Sequence, residues 1–140
     1  MTKAMVDLNV VLDVAQKREP HFAASAQVLA MAQRGDCDGM LPAHAITTIH
    51  YLVQKYSGVD VADRTVDWLL ASFEIAPART QEFLRARTLG MTDFEDAVVA
   101  AAAVTARCDV VVTRNVADFE RAPIQAVTPE EFLADVGRRR

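Results

Sequence analysis

The sequence predicts an α/β domain in which helices cover both faces of a central parallel sheet of four to five strands. Short apolar runs alternate with longer amphipathic stretches, which is the pattern of strand–helix–strand units. The run at residues 109–113 contains three consecutive valines, as expected for a strand buried on both faces. The stretch at residues 97–104 is small and apolar nearly all round, which indicates a helix packed closely against that sheet.

Five strands are predicted from their apolar character and from the residues that end them. They cover residues 3–7, 37–41, 73–76, 109–113 and 124–127. The first ends on an acid, Asp7, and Pro42 ends the second, because proline cannot donate a ladder hydrogen bond.

Seven helices are predicted from helical spacing of apolar residues, with proline or glycine between most of them. The first five cover residues 8–17, 21–34, 43–56, 60–71 and 79–89. The sixth is expected to begin with Thr92 as its N-cap, because Glu95 follows three residues later as in a capping box. The last begins with Thr128 as N-cap and Pro129 at its first position.

Length and composition indicate a single globular domain. The 140 residues, 51% hydrophobic and 24% charged, are enough to bury a sizeable core. We expect the domain to span residues 1–136, followed by a basic tail at residues 137–140. No apolar run of membrane-spanning length and no cationic-then-apolar leader is present, so we expect a cytoplasmic protein that does not enter a membrane. The two cysteines lack metal-ligand spacing.

Some side chains have an ordinary structural explanation. Phe22, Trp68 and Phe83 sit at helical spacings and are predicted to be core residues. The three histidines have no metal-ligand spacing and are predicted to lie on the surface or in a groove. The second helix carries more apolar residues than one core-facing stripe needs, which suggests a surface for a protein partner. Those residues are Phe22, Val28, Leu29 and Met31.

Acidic residues cluster where the predicted sheet presents the carboxyl ends of its strands. Asp7 ends the first strand, Asp118 follows the valine-rich strand, and Asp96 precedes a buried small-apolar stretch. Asp93 lies on the same helix face as Asp96, whereas Glu95 is explained by the helix macrodipole. Each acid alone fits a turn or a helix end, but together they suggest a site for Mg²⁺ or Mn²⁺. Two such ions can activate a water and stabilise the leaving oxygen when a phosphodiester is cleaved.

The net charge and the remaining motifs narrow the choice of activity. A formal net charge of −4 argues against a general nucleic-acid-binding surface, which is normally basic. It does not exclude a nuclease, because divalent metal neutralises an acidic site before phosphate approaches. Arg114 lies beside the predicted site and is a candidate contact for substrate phosphate. No Gly-rich phosphate loop is present, which argues against P-loop and Rossmann nucleotide sites.

The sequence resembles the PIN domain family and, within it, the VapC-type toxin ribonucleases. Four short motifs carry the resemblance in order across nearly the whole chain: residues 6–13, 93–102, 112–119 and 127–133. The resemblance implies a three-layer sandwich, a Mg²⁺ or Mn²⁺ site of acids and single-strand RNA endonuclease activity. It also implies a small antitoxin protein as partner, and a homodimer.

The same resemblance assigns residues by their position in the motifs. Asp7, Asp96 and Asp118 match metal-site acids, and we expect them to be catalytic together with Asp93. Thr113 and Asn115 match polar positions of the family's site. The expected substrate-binding residues are Asn9, Thr113, Arg114 and Asn115.

Two positions depart from the family pattern. The usual glutamate of the third helix is absent, and its slot falls on Tyr51, or on His50 if the register slips. Leu8 replaces a usual small hydroxyl residue. Fewer carboxylates weaken the binding of a hard divalent ion, although Asp93 can supply part of the missing charge.

Two other functions compete with a metal-dependent ribonuclease. One is a PIN-like module that has lost catalysis with its glutamate and binds protein or RNA. The other is an aspartyl-phosphate phosphatase, because an aspartate ends the first strand. That chemistry requires a second acid two residues on, where this chain has Asn9, and a lysine near the site. The phosphatase therefore ranks well below the others.

Overall fold

A computed structural model of the chain describes residues 1–139, in which five strands form one sheet. The strands are β1 Lys3–Val6, β2 Asp38–Pro42, β3 Glu74–Ala76, β4 Val110–Val112 and β5 Ala126–Val127. Their spatial order is β3-β2-β1-β4-β5, and every neighbouring pair is parallel. The predicted central parallel sheet is therefore confirmed.

Seven α-helices and one 3₁₀ turn connect and follow these strands within the described residues. The helices are α1 Leu8–Ala15, α2 Phe22–Arg34, α3 Ala43–Ser57, α4 Val59–Ser72, α5 Thr80–Thr88, α6 Phe94–Thr105 and α7 Pro129–Arg139, and the 3₁₀ turn is Val116–Phe119. The predicted order is confirmed, with small shifts at the ends. None of these helices is both long enough and apolar enough to cross a membrane.

The sheet lies between two layers of helices because successive residues of a strand point to opposite faces. Ala4 and Val6 of β1 join a core that includes residues of α1, α2, α3, α4 and α7. Met5, between them, joins a second core with Ala100 and Ala103 of α6. Small side chains of α6 therefore pack against the sheet, as the sequence predicts.

The order of the strands places β1 and β4 at a topological switch point. From β1 the chain continues through β2 and β3 on one side, whereas β4 continues to β5 on the other. Ligands bind at such points in open α/β sheets, because the two connections diverge and leave a crevice. Asp7 and Thr113 are the first residues beyond β1 and β4 and therefore lie at this crevice.

The capping residues confirm one sequence prediction and correct another. Thr128 caps α7, where its hydroxyl accepts a hydrogen bond from the Glu131 N–H at 3.1 Å while Glu131 Oε1 accepts one from the Thr128 N–H. Thr92 does not cap α6. The cap is Asp93, whose Oδ1 accepts from the Asp96 N–H at 2.9 Å, because the helix begins one residue later than predicted.

The predicted apolar partner surface on the second helix is wrong for three of its four residues, whereas Phe22 is partly exposed. Val28, Leu29 and Met31 are 0, 4 and 6% exposed, because α1 and α7 both pack on α2. Phe83 was predicted to be a core residue, but it is 43% exposed. Exposed large apolar side chains lie elsewhere: Met1, Tyr51, Tyr56, Val59, Leu70, Phe83, Leu84 and Phe94.

The end of the chain also differs from the predicted tail. Helix α7 continues to Arg139, so residues 137–139 extend the last helix instead of leaving it. Arg140, the last residue of the predicted basic tail, lies outside the described residues.

Candidate active site

Asp7 is held in one orientation by two hydrogen bonds. Its Oδ1 accepts from the N–H of Leu8 at 2.8 Å, as the N-cap of α1, and its Oδ2 accepts from the Thr113 hydroxyl at 2.8 Å. The residue is only 6% exposed. Burial raises the pKa of Asp7 above its ordinary value, although the two hydrogen bonds and His44 oppose that shift.

The hydroxyl of Thr113 connects Asp7 to the loop after β4. Besides donating to Asp7, its Oγ1 accepts from the Asn115 N–H at 3.1 Å and from Asn9 Nδ2 at 3.4 Å. Asn9 Oδ1 in turn accepts from the Arg114 N–H at 3.4 Å. Thr113 is fully buried, so this geometry supports a positioning role. Direct contact of Thr113 or Asn9 with substrate stays a prediction.

Asp96, near the start of α6, lies among the other acids. Its pKa is raised to about 7, first by burial and then by the charges of Asp7, Asp93, Asp118 and Glu95. A carboxylate that feels four like charges must share one small region of the surface with them. The charges at the carboxyl edge of β1 and in the 3₁₀ turn therefore act on the carboxylate at the start of α6.

The remaining predicted acids lie at the rim. Asp118 is exposed in the 3₁₀ turn, whose backbone is fixed by a 3.0 Å hydrogen bond from the Asp118 N–H to the Asn115 carbonyl. Asp93 is exposed too, and its side chain caps α6. The side chain of Asn115 is exposed beside this turn.

The chemistry of this donor set fits a hard divalent cation. The acids offer only oxygen ligands, which Mg²⁺ and Mn²⁺ prefer, and the raised pKa of Asp96 signals negative charge that a cation would relieve. Among the described residues, however, no three acidic, histidine or cysteine side chains already stand close enough to enclose an ion. A bound cation would therefore have to draw the carboxylates together against their mutual repulsion.

Two residues that the sequence analysis did not assign to the site lie beside it. His44, at the start of α3, has its Nε2 atom 3.2 Å from Glu95 Oε1. His44 lowers the pKa of Asp7, whereas Glu95 raises it, so both are close enough to act on that carboxylate. Because β2 neighbours β1, the carboxyl-edge rule applied to β2 would have pointed to His44.

Within the part of the chain that the structure describes, neither candidate for the glutamate slot contacts the acids of the site. His50 Nε2 lies 2.8 Å from Asp63 Oδ1 of α4, and Tyr51 is 63% exposed. His44, more than one turn earlier, is the residue of α3 that acts on Asp7. Helix α3 therefore contributes a histidine, and not an acid, that acts on the carboxylate of Asp7.

Arg114 has a structural contact that the sequence analysis did not predict. Its Nε atom lies 2.8 Å from Oδ2 of Asp13 on α1, and Asp13 is fully buried. The same carboxylate oxygen accepts a 3.1 Å hydrogen bond from Ser25 Oγ of α2. The ion pair therefore ties the loop after β4 to α1 and α2. Contact between Arg114 and phosphate stays a prediction, with one quarter of the side chain exposed.

Comparisons with known proteins agree with this architecture. The PIN domain family profile matches residues 3–117. The fold is similar to DNA-bound VapBC from Salmonella typhimurium, with a TM-score of 0.69, 18% identity and coverage of 92% of this chain and 99% of that one. It is also similar to VapBC2 from Rickettsia felis bound to a promoter DNA fragment, with a TM-score of 0.68, 14% identity and coverage of 91% and 98%.

A third similar structure is PAE2754 from Pyrobaculum aerophilum, with a TM-score of 0.64, 17% identity and coverage of 98% of this chain and 96% of that one. The comparison with curated proteins gives no match. The structural likenesses establish the fold, and the profile spans most of the 140 residues. The chain therefore belongs to the PIN domain family.

Proposed function

We propose that this PIN domain is a metal-dependent endonuclease of single-stranded RNA and the toxin of a type II toxin–antitoxin pair. The observation that carries the nuclease assignment is the group of acids at the switch point, where burial first and then the charges of the neighbouring acids raise the pKa of Asp96 to about 7. Carboxylates gathered at the ligand-binding edge of a sheet cost stability unless a cation uses them. We assign Asp7, Asp96 and Asp118 as its ligands.

In this mechanism the protein supplies orientation and charge. Asp7 is fixed by hydrogen bonds from the Leu8 N–H and from Thr113, so its side chain would lose little conformational entropy on binding a metal ion. Asp96 and Asp118 approach from α6 and from the 3₁₀ turn. Bound Mg²⁺ or Mn²⁺ would activate water for attack on phosphorus and stabilise the leaving oxygen. Asp93 on the rim adds negative charge that favours cation binding.

The proposed partners are a small antitoxin protein and a second copy of this chain. The antitoxin is supported by the structural neighbours, several of which are described as VapBC or toxin–antitoxin complexes. Co-purification of the protein with the product of the adjacent gene tests it. If the protein stays a stable monomer that captures no such product, both partners are refuted.

The decisive experiment is cleavage of single-stranded RNA with Mn²⁺ or Mg²⁺. We expect Asp7→Asn and Asp96→Asn each to abolish cleavage, because each removes one of the proposed ligands. Asp67→Asn is the matched control, since Asp67 is an exposed aspartate of α4 whose charge is not among those acting on Asp96. Undiminished cleavage by both site variants would refute the assignment.

A second function is favoured by the third helix. No acid occupies the glutamate slot at His50 or Tyr51, so this chain has one ligand fewer than the family pattern implies. The alternative is a catalytically weakened module that binds RNA or protein. Binding of RNA without metal-dependent cleavage by the unsubstituted protein would select it.

A further inference from the structure

A cavity of about 430 Å³ lies between the starts of α3 and α6 and the middle of α5. Its walls are mainly apolar and include Phe83, Phe94 and Val98, whereas His44 and Glu95 form a polar end. We call this cavity the aromatic cleft. It combines the exposed aromatic rings of Phe83 and Phe94 with the hydrogen-bonding groups of His44 and Glu95.

The polar end of the aromatic cleft lies beside the candidate active site. Phe94 directly follows Asp93 and precedes Asp96 by two residues. His44 and Glu95, which form the polar end, both act electrostatically on Asp7. The end of the cleft formed by His44 and Glu95 is therefore the end that lies toward Asp7.

The two phenylalanines leave aromatic surface open to solvent. Phe83 and Phe94 are 43% and 48% exposed, and their ring centroids are 6.2 Å apart with the planes tilted by 41°. An exposed phenylalanine gives up burial that would otherwise stabilise the fold. The exposed part of each ring offers aromatic surface to a flat ligand.

The charge of the protein makes base contacts important for RNA binding. The chain carries a formal net charge of −4, and the acids of the site repel phosphate until a cation is bound. Stacking of a base on an aromatic ring needs no positive charge and is tolerant of sequence. The Glu95 carboxylate at the polar end can accept hydrogen bonds from the amino or imino groups of a base edge.

We propose that the aromatic cleft is a nucleobase subsite, in which one unpaired base of the RNA stacks on Phe94 with its polar edge toward Glu95 and His44. The proposal rests on the proposed function and specifies how the substrate is held. It gives a physical reason for single-strand preference, because a duplex keeps its bases stacked inside and cannot offer a free face. The phosphate next to the bound base then lies toward the acids.

The test measures binding of a short labelled uridine oligonucleotide by fluorescence anisotropy with Mg²⁺ present. All proteins carry Asp7→Asn, which is expected to prevent cleavage. The second ligand is the abasic analogue, which keeps the same phosphates and loses every base. We expect the abasic strand to bind about 5- to 150-fold more weakly, which is the change in affinity that the stacking of one base on an aromatic ring produces.

Variants locate that loss in the cleft. Phe94→Leu keeps an apolar side chain but removes the ring, and we expect it to weaken binding of the uridine strand and to abolish the difference from the abasic strand. Phe94→Tyr keeps the ring and should bind as before. Leu84→Ala is the control, because Leu84 is 65% exposed on α5 and does not line the cleft.

The proposal is overturned if both strands bind equally, or if Phe94→Leu and Leu84→Ala weaken binding equally. It is also overturned if sedimentation velocity shows that Phe94→Leu only dissociates a dimer while RNA affinity stays constant, since the cleft would then belong to a protein interface. Failure of the nuclease assignment is distinguishable. It would appear as absent cleavage by the unsubstituted protein while base-dependent binding persists.

Discussion

The Thr113 hydroxyl shows how much of the candidate site depends on one atom. That oxygen lies in the fully buried residue after β4, donates to Asp7 and accepts from Asn115 and Asn9. A buried hydroxyl with all its hydrogen-bonding capacity used fixes its neighbours more strongly than any single contact suggests. The position of Asp7 relative to the loop after β4 is therefore set by Thr113.

Thr113→Val should separate this role from simple packing. Valine has nearly the same shape, but it leaves Asp7 Oδ2 and the Asn115 N–H without partners, at a cost of about 1–3 kcal/mol for each unsatisfied group. We expect lower unfolding free energy in urea and at least a tenfold loss of cleavage. Thr113→Ser keeps the hydroxyl and should retain both properties. Equal behaviour of the two variants would contradict the positioning role.

The pKa of Asp96 predicts how stability changes with pH. Its folded-state pKa is about 7 against an ordinary value of 3.8, so the folded protein binds more protons than the unfolded chain between these values. Stability from this group is therefore fully present at low pH and is lost as the pH rises through about 7.

Asp96→Asn removes that penalty, since asparagine stays neutral. Without divalent metal, we expect the variant to melt at a higher temperature than the unsubstituted protein at pH 8, and the difference to shrink at pH 5. Asp67→Asn should show no such pH-dependent gain. A variant that is equally or less stable at pH 8 would contradict the raised pKa of Asp96.

At the level of elements, the Asp13–Arg114 ion pair holds three segments together. Asp13 lies in α1, Ser25 in α2 and Arg114 in the loop that continues to Asp118. The buried carboxylate has its Oδ2 engaged by both partners. Removing one partner of a buried pair costs far more than removing an exposed pair, because the remaining charge stays desolvated.

Asp13→Asn should therefore destabilise the fold and loosen the loop after β4. We expect a loss of about 3 kcal/mol in unfolding free energy, at the low end for a buried pair because Arg114 is partly exposed. Ser25→Ala should cost about 1 kcal/mol, the value of one ordinary hydrogen bond. Urea denaturation of both variants beside Asp67→Asn measures the difference, and equal losses in Asp13→Asn and Ser25→Ala would refute the ion-pair argument.

The elements could be predicted from sequence where the signal is local. Three valines, an alanine-rich run and Thr128 before Pro129 each carry their own evidence, and the structure confirms β4, α6 and the start of α7. Burial of α2 could not be predicted, since it depends on α7 packing back over it from the far end of the chain. The pairing of Asp13 with Arg114 could not be predicted either, because the sequence around each residue gives no sign of the other.

Some residues of the candidate site could likewise be predicted from the sequence, and others could not. The carboxyl-edge rule selected Asp7, Asp96 and Asp118 because each follows a strand or opens a helix. The charges of Asp7 and Asp118 do act on Asp96, whereas the role of the three acids as ligands stays a prediction. Glu95 was explained by the helix macrodipole alone, since sequence cannot tell which side of α6 faces α3. His44, which lies next to Glu95, could be assigned to the site only once the structure showed that β2 neighbours β1.

For the whole molecule, metal binding at the proposed site would be coupled to folding. An ion that binds only the folded state stabilises it by about 2.7 kcal/mol at a hundredfold excess over its Kd. We expect Mn²⁺ at pH 8 to raise the melting temperature of the unsubstituted protein and to have much less effect on Asp7→Asn. The gain should fall at pH 6, where protons compete for Asp96. Equal Mn²⁺-induced shifts in both proteins would place the ion elsewhere.

The strand order determines when the candidate site can assemble during translation. Asp7 and Thr113 are hydrogen-bonded across 106 positions of sequence, and β1 is completed long before its neighbour β4 exists. On a ribosome, the emerging amino-terminal portion therefore carries Asp7 without the hydroxyl that orients it and without Asp118. If the chain cleaves RNA as proposed, a nascent or truncated product ending before β4 is harmless to the messenger and ribosome that are making it, and toxicity begins only once translation is almost complete.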